Sequence, residues 1–166
     1  AWDALFVVDF PLFERDDDGE LIYMHMPFVA PMDEDIALLG SQPEKVRATH
    51  YDVVLNGNEL GSGSLRNHRA DVQRQILSIL GYGDAEMEER FGFLLRSLEA
   101  GAPPHGGFAF GFDRFAMVLL GTDNLRDVIA FPKTQRGQDL LLEAPSTVSA
   151  AQLDELSLRI AARKRP

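Results

Sequence analysis

The chain has 166 residues, 45% hydrophobic and 25% charged, an ordinary balance for one globular domain with a sizeable core. It has no cysteine, which excludes disulfides and thiolate metal sites, and no apolar run near the ~20 residues that a membrane helix needs. Its 26 acids against 16 bases give a net charge of −10, which argues against broad non-specific nucleic-acid binding. Residues 1 to 10 carry Asp3 and Asp9 without a basic stretch before them, so they do not read as a signal peptide. A soluble, cytoplasmic protein is expected. The chain opens at Ala1-Trp2 without Met, already inside a strand-like run, so it reads as part of a longer protein.

Leu5 to Phe10 is rich in Val and Phe and predicts a buried strand. Arg15-Asp16-Asp17-Asp18-Gly19-Glu20 has the chemistry of an exposed hairpin tip. It lacks the alternating oxygens and distal Glu of a calcium loop. Leu21 to Met26 is the returning strand, and Asp33, Glu34 and Asp35 open a short helix with acids in its first turn. Val46 to Leu55 alternates and ends at Asn56-Gly57, a strong hairpin signal, with Asn58 to Arg66 as its partner. Asp71 to Leu80 has helical spacing and stops at Gly81. Asp84, as N-cap, opens a helix to Leu98 with Met87, Phe91, Leu94, Leu95 and Leu98 on one face.

A loop follows from Gly101 to Gly107, then a very short strand at Phe108 to Phe110. Gly111 to Leu120 predicts a buried helix closed by Gly121, and Val128 to Phe131 reads as a further strand. Ser149 caps a terminal helix to Ile160, with Gln152 completing a capping box, and Arg163 to Pro166 reads as a frayed tail. There is no repeat and no long linker. Tight turns between strands force antiparallel pairing. The fold class is therefore α+β, an antiparallel sheet flanked by helices.

Three segments combine glycine with charge. In Tyr51 to Arg66, the two-residue turn pairs Leu55 with Asn58, sets Asp52 opposite Gly61 and Glu59 opposite Val54. Asp52 and Glu59 then share a face. Two such acids suit magnesium with a phosphate substrate, and they equally suit a plain sheet surface. Gly61 and Gly63 mark a bulge or a close approach by a ligand. Arg66 can hold a carboxylate in a bidentate fork, or be a surface arginine. In Gly106 to Arg114, a glycine at a strand-to-helix junction leaves helix N–H groups open to an anion. Arg114, in the first turn of an apolar helix, needs an acid or a phosphate. In Tyr23 to Phe28, His25 is a lone histidine, which fits a satisfied structural role as well as a catalytic one.

Together these segments resemble the C-terminal half of the catalytic domain of bacterial-type aspartyl-tRNA synthetases, class II enzymes, from about Phe6 to Ile160. The resemblance is carried by Tyr51–Arg66, Phe91-Gly92-Phe93, Gly101–Arg114, Gly121–Lys133 and Glu143–Ser146, with the family's motif 3 at residues 106–120. It implies that aspartate is activated by ATP to aspartyl-adenylate and passed to tRNA. It further implies that His25 and Arg66 contact the aspartate, and that Asp52 and Glu59 hold Mg2+. Glu59, Gly111, Phe112, Asp113 and Arg114 would bind ATP, with Arg114 and Arg66 as the catalytic pair. A homodimer without membrane attachment is implied for the whole protein.

Two departures lie beside the amino-acid pocket. Met26 stands where the family usually has a second histidine, and Ser62 interrupts a run of three glycines. The family's anticodon-binding domain, motifs 1 and 2 and insertion domain have no counterpart in these 166 residues, so the chain alone is expected not to charge tRNA. The alternative is a free-standing synthetase-like module that binds ATP, an amino acid or a partner protein.

Overall fold

The structure is a computed structural model and describes residues 1–161. Its strands are β1 (Ala4–Val7), β2 (Phe13–Arg15), β3 (Leu21–Tyr23), β4 (His50–Leu55), β5 (Asn58–Arg66) and β6 (His105–Phe110). Its helices are α1 (Ala70–Ile79), α2 (Asp84–Glu99), α3 (Phe112–Leu120) and α4 (Ala150–Glu155), with short 3-10 turns at Asp33–Leu38, Pro43–Lys45 and Leu125–Val128. The α+β class is as expected: an antiparallel sheet in the order β1-β4-β5-β6, a separate β2-β3 hairpin, and helices beside them. Asn56 (φ 49°) and Gly57 (φ 78°) both take the left-handed conformation that a two-residue hairpin turn requires. No described helix is long and apolar enough to cross a membrane.

The chain divides into two compact units, Ala1–Gly121 and the segment from Thr122. In the first, Leu12, Phe13, Val29, Leu39, Val46, Ala48, Val72 and Ile76 form one core cluster. Leu77, Met87 and Leu95 form another between α1 and α2. Arg47 adds a polar clamp: its guanidinium pairs with Asp35, Glu34 and Asp9. Hydrogen bonds from the Arg47 side chain and backbone hold the Asp35 carboxyl below its ordinary value. In the second unit, Asn124 caps a 3-10 turn and Ser149 and Gln152 form the expected capping box on α4. None of the described residues from 122 onwards is buried.

Several elements differ from expectation for physical reasons. β1 is exposed along its length, because it is an edge strand bonded only to β4. Gly83, not Asp84, occupies the N-cap of α2, and Asp84 sits in the first turn, where it still favours the helix dipole. β6 begins at His105 because its whole length pairs with β5, from Arg66–His105 to Gly61–Phe110. α3 buries only Met117 and Val118, and Phe112 is 75% exposed, so its apolar composition does not make it a buried helix. Val128 to Phe131 forms no strand, and α4 stops at Glu155 instead of Ile160. The β3 strand ends at Tyr23, which leaves His25 outside the sheet. The tail at Arg163 to Pro166 lies outside the described residues.

Candidate active site

β5 is the axis of the site. Its alternation puts Ser62, Ser64 and Arg66 on one face. Cross-strand pairing adds His50 opposite Ser64 and Asp52 opposite Ser62 from β4. Glu59, opposite Val54, joins the same face as Asp52. The expected register is corrected at one point: Asp52 faces Ser62, not Gly61. A bulge between the Val53–Gly61 and Val54–Glu59 pairs inserts Leu60 as an extra residue. The Leu60 carbonyl accepts from the Gly111 N–H at 2.6 Å, and so ties the bulge to the start of α3.

The opposite face explains the strand glycines. Tyr51, Gly63 and Phe108 line up across β4, β5 and β6, and the Tyr51 and Phe108 rings stack 6.1 Å apart. A Cβ on Gly63 would lie 2.6 Å from the Tyr51 hydroxyl, and one on Gly61 would lie 2.5 Å from Phe108 Cζ. The close approach at both positions is therefore by an aromatic side chain and by a backbone carbonyl of β6, that of Gly107 at 2.5 Å from the Cβ position of Gly63 and that of Ala109 at 2.7 Å from that of Gly61.

At one end of β5, Arg66 faces His105 across to β6, and its guanidinium donates to the Met26 sulfur. Arg66 and His105 line a cleft of about 610 Å³ with Thr49, His68 and Glu34, and a second of about 380 Å³ with Phe28 and Leu98. The base beneath is fixed. Buried Asn67 donates to Gln73 at 3.1 Å, and Gln73 donates to the Pro27 carbonyl at 2.7 Å.

In the middle, His50 is a site residue that motif reading did not single out. Its Nε2 lies 3.1 Å from Asp52 Oδ1 and 3.2 Å from Ser62 Oγ. Its ring stacks on His25 at 3.7 Å, and Phe10 meets both rings edge-on. Burial first, then the neighbouring His25, pushes the His50 pKa below its ordinary value, so the ring is neutral at pH 7. The one signal in the sequence is the spacing of His50 and Asp52, two apart in a strand and so on one face.

At the far end, Arg114 donates to the Glu59 carbonyl at 2.9 Å and lies 3.6 Å from its carboxylate. Its partner is Glu59, not the adjacent Asp113, and the Arg114 side chain is 49% exposed, not buried. Gly111 is the N-cap of α3 and brings no side chain to cap it, so no cap side chain occupies the first helical N–H groups.

Asp52 and Glu59 are the candidate Mg2+ pair. Both offer hard oxygen donors on one face; Asp52 is 16% exposed and Glu59 47%. Among the described residues there is no group of three or more His, Asp or Glu side chains that could hold a metal. Two carboxylates fit Mg2+ when substrate phosphates and water complete the shell, which is its usual mode beside nucleotides.

The family described as tRNA synthetases class II (D, K and N) matches residues 1–135. Curated relatives include an aspartate–tRNA(Asp/Asn) ligase from Halothermothrix orenii, 54% identical over 157 residues, or 94% of this chain and 27% of that protein. An aspartate–tRNA ligase from Staphylococcus carnosus is also 54% identical over 157 residues, again 94% of this chain and 27% of the relative. The chain thus spans about a quarter of the length of these relatives. Among solved structures, the aspartyl-tRNA synthetase of Entamoeba histolytica matches the fold with a TM-score of 0.60 at 23% identity, over 82% of this chain and 24% of that one. The sheet, the Gly111–Arg114 junction and the family match converge: the chain belongs to the class II tRNA synthetases of the D, K and N group.

Proposed function

We propose that this chain is the C-terminal part of the catalytic domain of an aspartate–tRNA ligase. The observation that carries the reading is the order of charge along one face of β5. Arg66 stands at one end, two acids lie between, and Arg114 stands at the other. That order matches a substrate with an acidic side chain at one end of the pocket and a triphosphate at the other.

Arg66 would take the side-chain carboxylate of aspartate in a bidentate fork, and a site built for that charge leaves itself unpaired with asparagine. His25 would lie beside the same substrate. Asp52 and Glu59 would hold Mg2+, which neutralises phosphate charge. Arg114, with the Gly111, Phe112 and Asp113 turn, would receive the nucleotide, and its guanidinium would draw charge toward the outer phosphates. The α-carboxylate oxygen of aspartate then bonds to the α-phosphorus as the bond to pyrophosphate breaks. Positioning and charge stabilisation carry this step, and no protein nucleophile is required. ATP, aspartate and tRNA are the proposed substrates of the whole protein. A homodimeric state and a cytoplasmic location are proposed for it, on the support of the family resemblance.

The test is ATP–pyrophosphate exchange by the full-length protein containing this chain. Exchange that depends on aspartate, and not on asparagine or lysine, supports the reading. Exchange driven equally by another amino acid, or none, overturns it.

A further inference from the structure

We propose that His50, outside the substrate-gripping set above, is a positioning residue: its imidazole sets the plane of the His25 ring and thereby the affinity of the site for aspartate. The proposal rests on the function proposed above.

His25 needs an external support. It lies beyond the end of β3, in a bend, and is exposed. Among the described residues no hydrogen bond reaches its ring. What holds it is aromatic contact: the His50 ring lies 3.7 Å away with only 20° between planes, and Phe10 closes the edge at 5.0 Å. A histidine that contacts a substrate works by position, so whatever fixes its plane fixes its contribution.

His50 is built to impose that plane. It belongs to β4, in the interior of the sheet, and is buried. Its Nε2 faces Asp52 Oδ1 at 3.1 Å and Ser62 Oγ at 3.2 Å. A carboxylate oxygen only accepts, so Nε2 carries the proton and donates it toward both oxygens. Phe10 also meets the His50 ring edge-on at 5.0 Å. Two hydrogen-bond contacts and one edge contact therefore define the orientation of His50, and the stack passes that orientation to His25. Ser62 gains a role from this: its hydroxyl supplies the second anchor, which a glycine there lacks.

Two substitutions separate the ring from its polar atom. His50→Asn keeps a donor near Asp52 and removes the ring face. His50→Phe keeps a flat ring and removes the donor. Aspartate-dependent ATP–pyrophosphate exchange by the full-length protein is measured with each. His50→Asn is expected to raise KM for aspartate about tenfold, with kcat and KM for ATP within about twofold of the unsubstituted protein. His50→Phe keeps the ring face and its Phe10 contact but loses both hydrogen-bond anchors, so it is expected to fall between the unsubstituted protein and His50→Asn, with KM for aspartate raised about threefold. A second readout is the His25 ring-proton NMR resonance in histidine-labelled full-length protein. It should move downfield in His50→Asn, as the shielding of the stacked ring is lost, and stay close to its place in His50→Phe. An unchanged aspartate KM in His50→Asn overturns the proposal, as does a parallel loss in kcat and both KM values or an unmoved His25 resonance. Absence of aspartate-dependent exchange in the unsubstituted protein overturns instead the function on which the proposal rests.

Discussion

The two ends of β5 carry similar charges on different foundations. The Arg66 end stands on buried structure. Asn67 and Gln73 lock the start of α1 to the Pro27 carbonyl, and Val29, which pairs with Arg66, belongs to the same buried cluster as Ile76. The Arg114 end stands in the open: Arg114 and Glu59 are both about half exposed and hold each other at 3.6 Å, and Phe112 beside them is exposed. An ion pair of this kind contributes little to folding. The difference teaches that one site can hold a group rigidly at one end and keep a group adjustable at the other. A small, stiff carboxylate suits the first and a long polyphosphate the second.

Substitutions at the two ends should therefore fail in different ways. The largest expected effect on folding comes from Ile76→Ala, which empties a fully buried position behind the Arg66 end. It should destabilise the protein by about 2–5 kcal/mol, read as a lowered urea midpoint. Arg114→Ala should do the reverse. Exchange activity of the full-length protein should fall on the order of 10²–10³-fold, while the urea midpoint shifts by less than about 0.5 kcal/mol equivalent. A large fall in stability there would break the contrast between the ends.

Gln73→Leu is an intermediate case. It leaves the Pro27 carbonyl and the Asn67 side chain without their partner and should cost about 1–3 kcal/mol. A smaller change at the centre concerns pH. The folded pKa of His50 lies below the ordinary 6.5, so the unfolded chain binds this proton more tightly. Stability from this group is fully present above pH about 6.5 and is lost as pH falls through the folded value. His50→Phe should flatten that acid limb of the stability profile, and an unchanged limb would mean that other groups carry it.

Much of this arrangement was legible in the residues. Asn56-Gly57 announced the hairpin, and the pairing from it placed Asp52 and Glu59 on one face; Arg66, seven residues beyond Glu59, reaches that face only because of the bulge at Leu60. The local register was not legible, because the Leu60 bulge depends on a bond from Gly111, some fifty residues on. The glycines at 61 and 63 announced a close approach, but only the assembled sheet brought Tyr51 and Phe108 across them. His50 escaped notice because its ring partner, His25, reaches it through tertiary folding alone. The helix after Gly111 read as buried from its apolar composition, yet composition does not say which side a partner covers, and Phe112, Leu119 and Leu120 stay exposed.

The central claim is that Arg66 and Arg114 serve different substrates from opposite ends of one strand. Its most direct test is the pair Arg66→Leu and Arg114→Ala in the full-length protein, each assayed for ATP–pyrophosphate exchange with aspartate and ATP varied separately. The account predicts that Arg66→Leu raises KM for aspartate with little change in KM for ATP, and that Arg114→Ala raises KM for ATP and lowers kcat with little change for aspartate. If both substitutions shift the two KM values together, the division of the site into an amino-acid end and a nucleotide end is contradicted.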